Sequence, residues 1–155
     1  MNKKYIILEL IPSAIDPSKG PLIQISALKL DNLQLIDRFD YRLNEDKLPL
    51  TQFAELISYD KDNFKYVDSH DELMKAFIDW IEDLDLIIIN NDYTNNYLRH
   101  LDNNKISILD LLDMEYSFDV IDKIISKYNL QPSNYIVDLL YEALIYESNN
   151  KDITF

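Results

Sequence analysis

No cysteine occurs among the 155 residues, and glycine occurs once, at Gly20. The first absence removes a disulfide framework, a thiolate nucleophile and thiolate metal ligands, and suits a reducing, cytoplasmic setting. The second argues against phosphate-cradling loops and dinucleotide-binding turns, which need several glycines for close backbone approach, and so against folds that bind ATP, GTP or NAD. Apolar runs are too short for a membrane-spanning helix, and no charged-then-apolar leader opens the chain. The two histidines, His70 and His100, give no zinc-ligand spacing without cysteine, and nothing places a serine beside either for a catalytic triad. His70 follows the cap residue Ser69 and is expected to be exposed at a helix start. His100 belongs to the polar Arg99-His100 pair.

Basic residues are also scarce. Fifteen Lys and Arg face 28 Asp and Glu, a formal net charge of −13, and such a field repels polyanions. Lys3-Lys4 is the densest basic pair, so the sequence predicts weak or no nucleic-acid binding and suits basic partners better.

What is present is a 47% hydrophobic composition with eleven tyrosines, enough for one core and too apolar for a disordered chain. With no repeat, linker or composition shift, residues 1–155 read as a single domain. Four Asn-Asn pairs, at 90, 95, 103 and 149, read as compositional bias. Lys4 to Leu10 has the near-continuous apolar character of a central strand. Leu22 to Leu30 and Leu33 to Leu43 form a hairpin through Asp31-Asn32, with Leu35, Phe39 and Tyr41 alternating with Gln34, Arg38 and Asp40 so that one face is wet. Ser69 and Glu72 resemble a capping box for a helix to about Asp83, in which Phe77, Trp80 and Ile81 are core. A short strand, Leu84 to Ile89, ends at Asn90-Asn91-Asp92 and precedes a helix through Tyr93, Tyr97 and Leu98. Ile106 to Leu109 reads as a further strand, Val120 to Tyr128 as a helix, and Ser133 caps a last helix through about Ser148. The order is three strands, then αβαβαα.

In this layout the residues resemble the DnaQ-like 3′–5′ exonucleases of the DEDD superfamily. The likeness lies in Ile15-Asp16-Pro17 with Leu22 to Leu30 and Ile36 to Phe39, in Leu84 to Leu98, and in Asn134 to Glu147. It implies a ribonuclease H-like three-layer α/β fold, a mixed five-stranded sheet flanked by helices. It also implies four carboxylates holding two divalent cations that drive phosphoryl-bond hydrolysis. Aligned on that pattern, the Asp-x-Glu of the first strand becomes Glu9-Leu10-Ile11, so the second carboxylate is a hydrocarbon that cannot ligate a hard cation. The metal-binding Asp of the second motif becomes Thr94, with Asp92 two places away. Aligning the last Asp with Glu142 puts Val137 where the family has a general-base His and Asp138 where it has a Tyr. Asp138 and Glu142 then share a helix face opposite Ile136, Leu140, Ala143 and Leu144, which a solvated face explains.

Two carboxylates where four are needed, and no base to deprotonate water, imply a pseudo-exonuclease that acts through protein contacts as a binding or regulatory module. No catalytic set is intact and no cofactor is expected. The alternative is a divergent single-strand exonuclease using Mg²⁺ or Mn²⁺ on Glu9 and Glu142 with Asp92 or Asp138. A second alternative is an acidic mimic of nucleic acid that blocks a basic cleft. For Glu9 the bland reading is an acid at a strand end, exposed or paired with a nearby Lys. The tyrosines and Asn90-Asn91 could line a nucleotide-sized cleft, although core and rim packing explains them as well.

Overall fold

A computed structural model describes residues 3–44, 46, 64–133 and 135–150. Three long strands come first: β1 (Lys4–Pro12), β2 (Leu22–Asp31) and β3 (Gln34–Leu43). They pair antiparallel in sequence, with Ile7 opposite Leu28 and Leu28 opposite Arg38. The hairpin between β2 and β3 turns on Asn32 and Leu33, both at positive φ (51° and 65°). This two-residue geometry matches the twist of the strands but disfavours a side chain such as leucine. Leu33 holds it because its side chain packs on the core and its carbonyl accepts a hydrogen bond from the Tyr141 hydroxyl at 2.9 Å. The turn therefore lies one residue later than Asp31-Asn32.

After β4 (Lys65–Val67) and α1 (His70–Ile81), the chain alternates β5 (Asp85–Ile88), α2 (Asp92–Leu98), β6 (Lys105–Ser107) and α3 (Ile108–Leu111), and closes with α4 (Val120–Tyr128) and α5 (Ile136–Asn150). The sheet order is β4-β3-β2-β1-β5-β6. Both edge pairs and the β1–β5 pair are parallel, so β2 alone runs against the other strands. Among the described residues the sheet has six strands rather than five. The additional one is β4, whose three residues are too few to show an alternation. Ile108 and Leu109, expected to continue a strand, instead open α3, because two adjacent apolar residues fit either period.

Helices cover both sides of the sheet. Ile6, Leu8 and Leu10 of β1 pack with Leu73, Phe77 and Ile81 of α1 and with Tyr97 and Leu98 of α2. Tyr5 and Ile7, pointing the other way, pack with Ile124 of α4 and with Val137, Leu140 and Leu144 of α5. A strand with both faces apolar is thus central, as its composition dictates. Ser69 caps α1 by accepting from the Glu72 N–H at 3.1 Å, and the Glu72 carboxylate reaches back to the Asp68 N–H at 3.1 Å. α4 ends on Asn129 in the left-handed region, a residue that tolerates it.

Two expectations change. His70 is half-buried, not exposed: its Nδ1 accepts from the Leu22 N–H at 3.0 Å and ties the start of β2 to α1. Burial lowers its pKa. Trp80 sits at the rim of the core, where its indole N–H donates to Asp37 at 3.0 Å and Lys29 Nζ lies 4.6 Å from its ring centroid.

Candidate functional site

Strand alternation places Tyr5, Ile7, Glu9 and Ile11 on the side of β1 that faces α5. The registers extend two of these positions into rows across the sheet: Glu9 opposite Ser26 opposite Asp40, and Ile11 opposite Gln24 opposite Arg42. Apolar residues give way here to polar ones, and burial nevertheless continues. Ser26, Gln24 and Arg42 are all buried. The Arg42 guanidinium donates to Gln24 Oε1 from Nε at 2.8 Å and Nη2 at 2.6 Å, while Gln24 Nε2 donates to Ser26 Oγ at 3.4 Å. Phe64 closes this end of the face, with its ring 4.1 Å from the Arg42 guanidinium carbon, and stacks against Tyr135. The polar face of the hairpin, expected to be wet, is exposed at Gln34 and Arg38, partly buried at Asp40 and buried at Arg42. Arg42 is satisfied there by Gln24 and one Asp40 oxygen by Arg38, while Asp40 Oδ1 is buried without a partner among the described residues.

Glu9 is the acid at the centre of this arrangement. It is partly buried, and no hydrogen bond or ion pair reaches its carboxyl among the described residues. The expected exposed or lysine-paired acid is not what the fold produces. Loss of water raises its pKa from 4.5 to about 8, because a charge in a poorly solvated site has nothing to offset it. Beside it stands Tyr93, whose hydroxyl is pushed up to about 12, first by burial and also by the nearby Glu9 and Tyr116. Tyr93 is hydrogen-bonded to the side chain of Asn91, and Asn91 caps α2 by accepting from the Thr94 N–H at 2.9 Å. The end of β1, the turn after β5 and the start of α2 thus bring Glu9, Asn91 and Tyr93 together, with Tyr116 close by.

The other positions singled out in the sequence separate into two groups. Ile11 and Val137 are buried on this side of the sheet, at 2% and 0% exposure. Thr94 is also buried, within α2. Asp92 and Glu142 are exposed. Asp138 is not part of a free solvated face: its Oδ1 accepts from Arg38 Nη1 at 2.9 Å, and the same guanidinium donates from Nε to Asp40 at 3.0 Å. These residues line a pocket of about 420 Å³ with Tyr41, Lys65 and Tyr135, beside β3. Among the described residues no three His, Asp or Glu side chains gather as a metal centre requires. Glu9 belongs to no such cluster, whereas a pair of divalent cations needs several convergent anionic oxygens.

The Gln24, Ser26, Asp40 and Arg42 set went unnoticed in the sequence. The signal was available: Gln24 and Ser26 alternate inside an otherwise apolar strand, and the hairpin register sets them opposite Arg42 and Asp40.

A mixed six-stranded sheet with one reversed strand and helices on both sides defines a ribonuclease H-like fold of the exonuclease type. No protein-family model matches the sequence, and no curated protein matches it. Among solved structures, exonuclease I from Methylocaldum szegediense aligns with a TM-score of 0.66 at 14% identity, covering 96% of this chain and 41% of that one. The zinc-bound complex of E. coli exonuclease I with single-stranded DNA aligns at 0.60 and 12%, covering 95% and 40%. An exonuclease I complex with the C-terminal segment of SSB aligns at 0.63 and 12%, covering 98% and 42%. At such identities the likeness is one of fold. The chain spans about two-fifths of the length of these exonucleases.

Proposed function

We propose that this chain is an exonuclease-fold module without two-metal chemistry, and that it works by binding another macromolecule. The observation that carries the reading is the occupant of the position after next from Glu9: Ile11, a buried hydrocarbon at the edge of a face that otherwise turns polar. A carboxylate there would complete the pair that a bound cation needs, whereas isoleucine supplies only apolar surface. Val137 supports the reading, since its side chain lies in the core where a general base would have to reach water. The lack of any cluster of three acids or histidines among the described residues supports it as well. Protein contacts suit the net charge of −13, because phosphate backbones are repelled by such a field.

The test is a nuclease assay on the intact chain, with labelled single strands in Mg²⁺ and in Mn²⁺. The expected result is no turnover above a no-protein control. Degradation that disappears in Glu9→Ala or Glu142→Ala would refute the reading and establish a divergent active exonuclease in its place.

A further inference from the structure

Between α3 and α4 the chain turns outward and holds two aromatic side chains in water. Phe118 is 98% exposed and Tyr116 is 51% exposed. The loop that carries them is tied down: the Met114 N–H donates to the Leu109 carbonyl at 2.8 Å, Ser117 Oγ donates to Asp119 Oδ1 at 2.8 Å, and the Val120 N–H donates to the Ser117 carbonyl at 3.1 Å. A phenylalanine in water forgoes the free energy its ring would gain on burial. One such residue alone is ordinary on a protein surface. This one differs in its surroundings. Asp110, Asp113 and Glu115 are exposed in the same stretch and, with Met114, line a hollow of about 410 Å³. The basic residues that follow do not neutralise them, since Lys123 pairs with Asp119 at 3.5 Å and Lys127 is turned to the Leu112 carbonyl.

We propose that this loop is a docking element, and that Phe118 inserts into an apolar pocket rimmed by Lys or Arg on a partner protein. The proposal rests on reading the chain as a binding module and names the surface that does the binding. Charge complementarity selects the occupant. An exposed apolar ring on a stretch that also exposes Asp110, Asp113 and Glu115 is matched by an apolar cavity rimmed by cations, which steers the encounter and fixes its orientation. Aromatic rings can also stack on the bases of a single strand, but the same carboxylates repel the phosphates that such a strand brings.

A short fluorescent amphipathic peptide of leucine and lysine serves as the probe, titrated with the intact chain at low and high salt. The expected result is binding that weakens with salt and that Phe118→Ala reduces about tenfold, as expected for an interface anchor. Phe118→Trp should retain affinity, and Asp113→Asn with Glu115→Gln should flatten the salt dependence. Ile36→Ala, at a residue 50% exposed on β3, should leave affinity unchanged. The proposal is overturned if the peptide does not bind, if Phe118→Ala binds like the parent chain, or if a labelled oligothymidylate binds more tightly than the peptide and depends on Phe118. Cleavage of that oligonucleotide in Mg²⁺ overturns the nuclease-inactive reading alone, and the comparison of peptide affinities still decides the role of Phe118.

Discussion

Glu9 shows how one side chain can set the pH response of a fold. Its pKa in the folded chain, about 8, lies above the ordinary 4.5 because burial disfavours the anion. The folded state therefore holds the proton more tightly than the unfolded state does. The contribution of Glu9 to stability is fully present below about pH 4.5 and is lost as pH rises through about 8. The loss is on the order of 5 kcal/mol for a shift of this size. Glu9→Gln keeps the shape and cannot ionise, so the variant should show a flatter stability profile across that window and should be the more stable chain at its alkaline end. Urea unfolding at several pH values measures this, and parallel curves for the two proteins would contradict the isolation of the carboxyl. The alternation that sets Glu9 and Ile11 on one side of β1 was legible in the sequence. The partner of Asp138 was not, because Arg38 lies 100 residues away and only the packing of α5 over β3 brings the two together.

Among the elements, α2 depends most on a single side chain. It is seven residues long, too short to be stable by propensity alone, and it starts directly after β5. Asn91 accepts from the Thr94 N–H and also holds Tyr93. Asn91→Ala should cost about 1 kcal/mol and should speed hydrogen exchange at the first amides of α2 while leaving those of α4 unchanged. Equal protection in both proteins would show that packing alone fixes the helix. The elements legible beforehand were those with a strong local signal: the capping box of α1, the apolar period of α4, and the three long strands. β4 was missed because Lys65–Val67 is short and mostly exposed, and it exists by pairing with β3 rather than by its own pattern. α3 was read as strand because Ile108-Leu109 has no polar neighbour at a spacing that distinguishes the two periods. Burial on the polar side of the hairpin was illegible for a related reason: it depends on Phe64 and Tyr135, which alternation within β2 and β3 does not reveal.

At the scale of the molecule, the net charge of −13 separates two effects of divalent cations that are easily confused. Any acidic protein is stabilised a little by added salt, because counterions screen repulsion among its carboxylates. That effect follows ionic strength and not the identity of the ion. A built two-metal site behaves differently: with ligand at a hundredfold excess over its dissociation constant, the folded state gains about 2.7 kcal/mol. For a chain of this size that raises the melting temperature by roughly 5–10 °C. Among the described residues no three acids or histidines gather, and burial holds the Glu9 carboxyl well above its ordinary pKa. Mg²⁺ and Mn²⁺ should therefore move the melting temperature no further than KCl at matched ionic strength, and EDTA should leave it unchanged. Glu9→Gln should respond to the cations as the parent chain does. A melting temperature several degrees higher in Mn²⁺ than in matched KCl, lost in Glu9→Gln, would place a cation on Glu9 and revive the exonuclease alternative. That outcome would require the cation to drive off the carboxyl proton, so its stabilisation would grow as pH rises toward 8. Ionic screening of the dispersed surface carboxylates carries no such dependence in that range, so the pH series identifies which effect is at work.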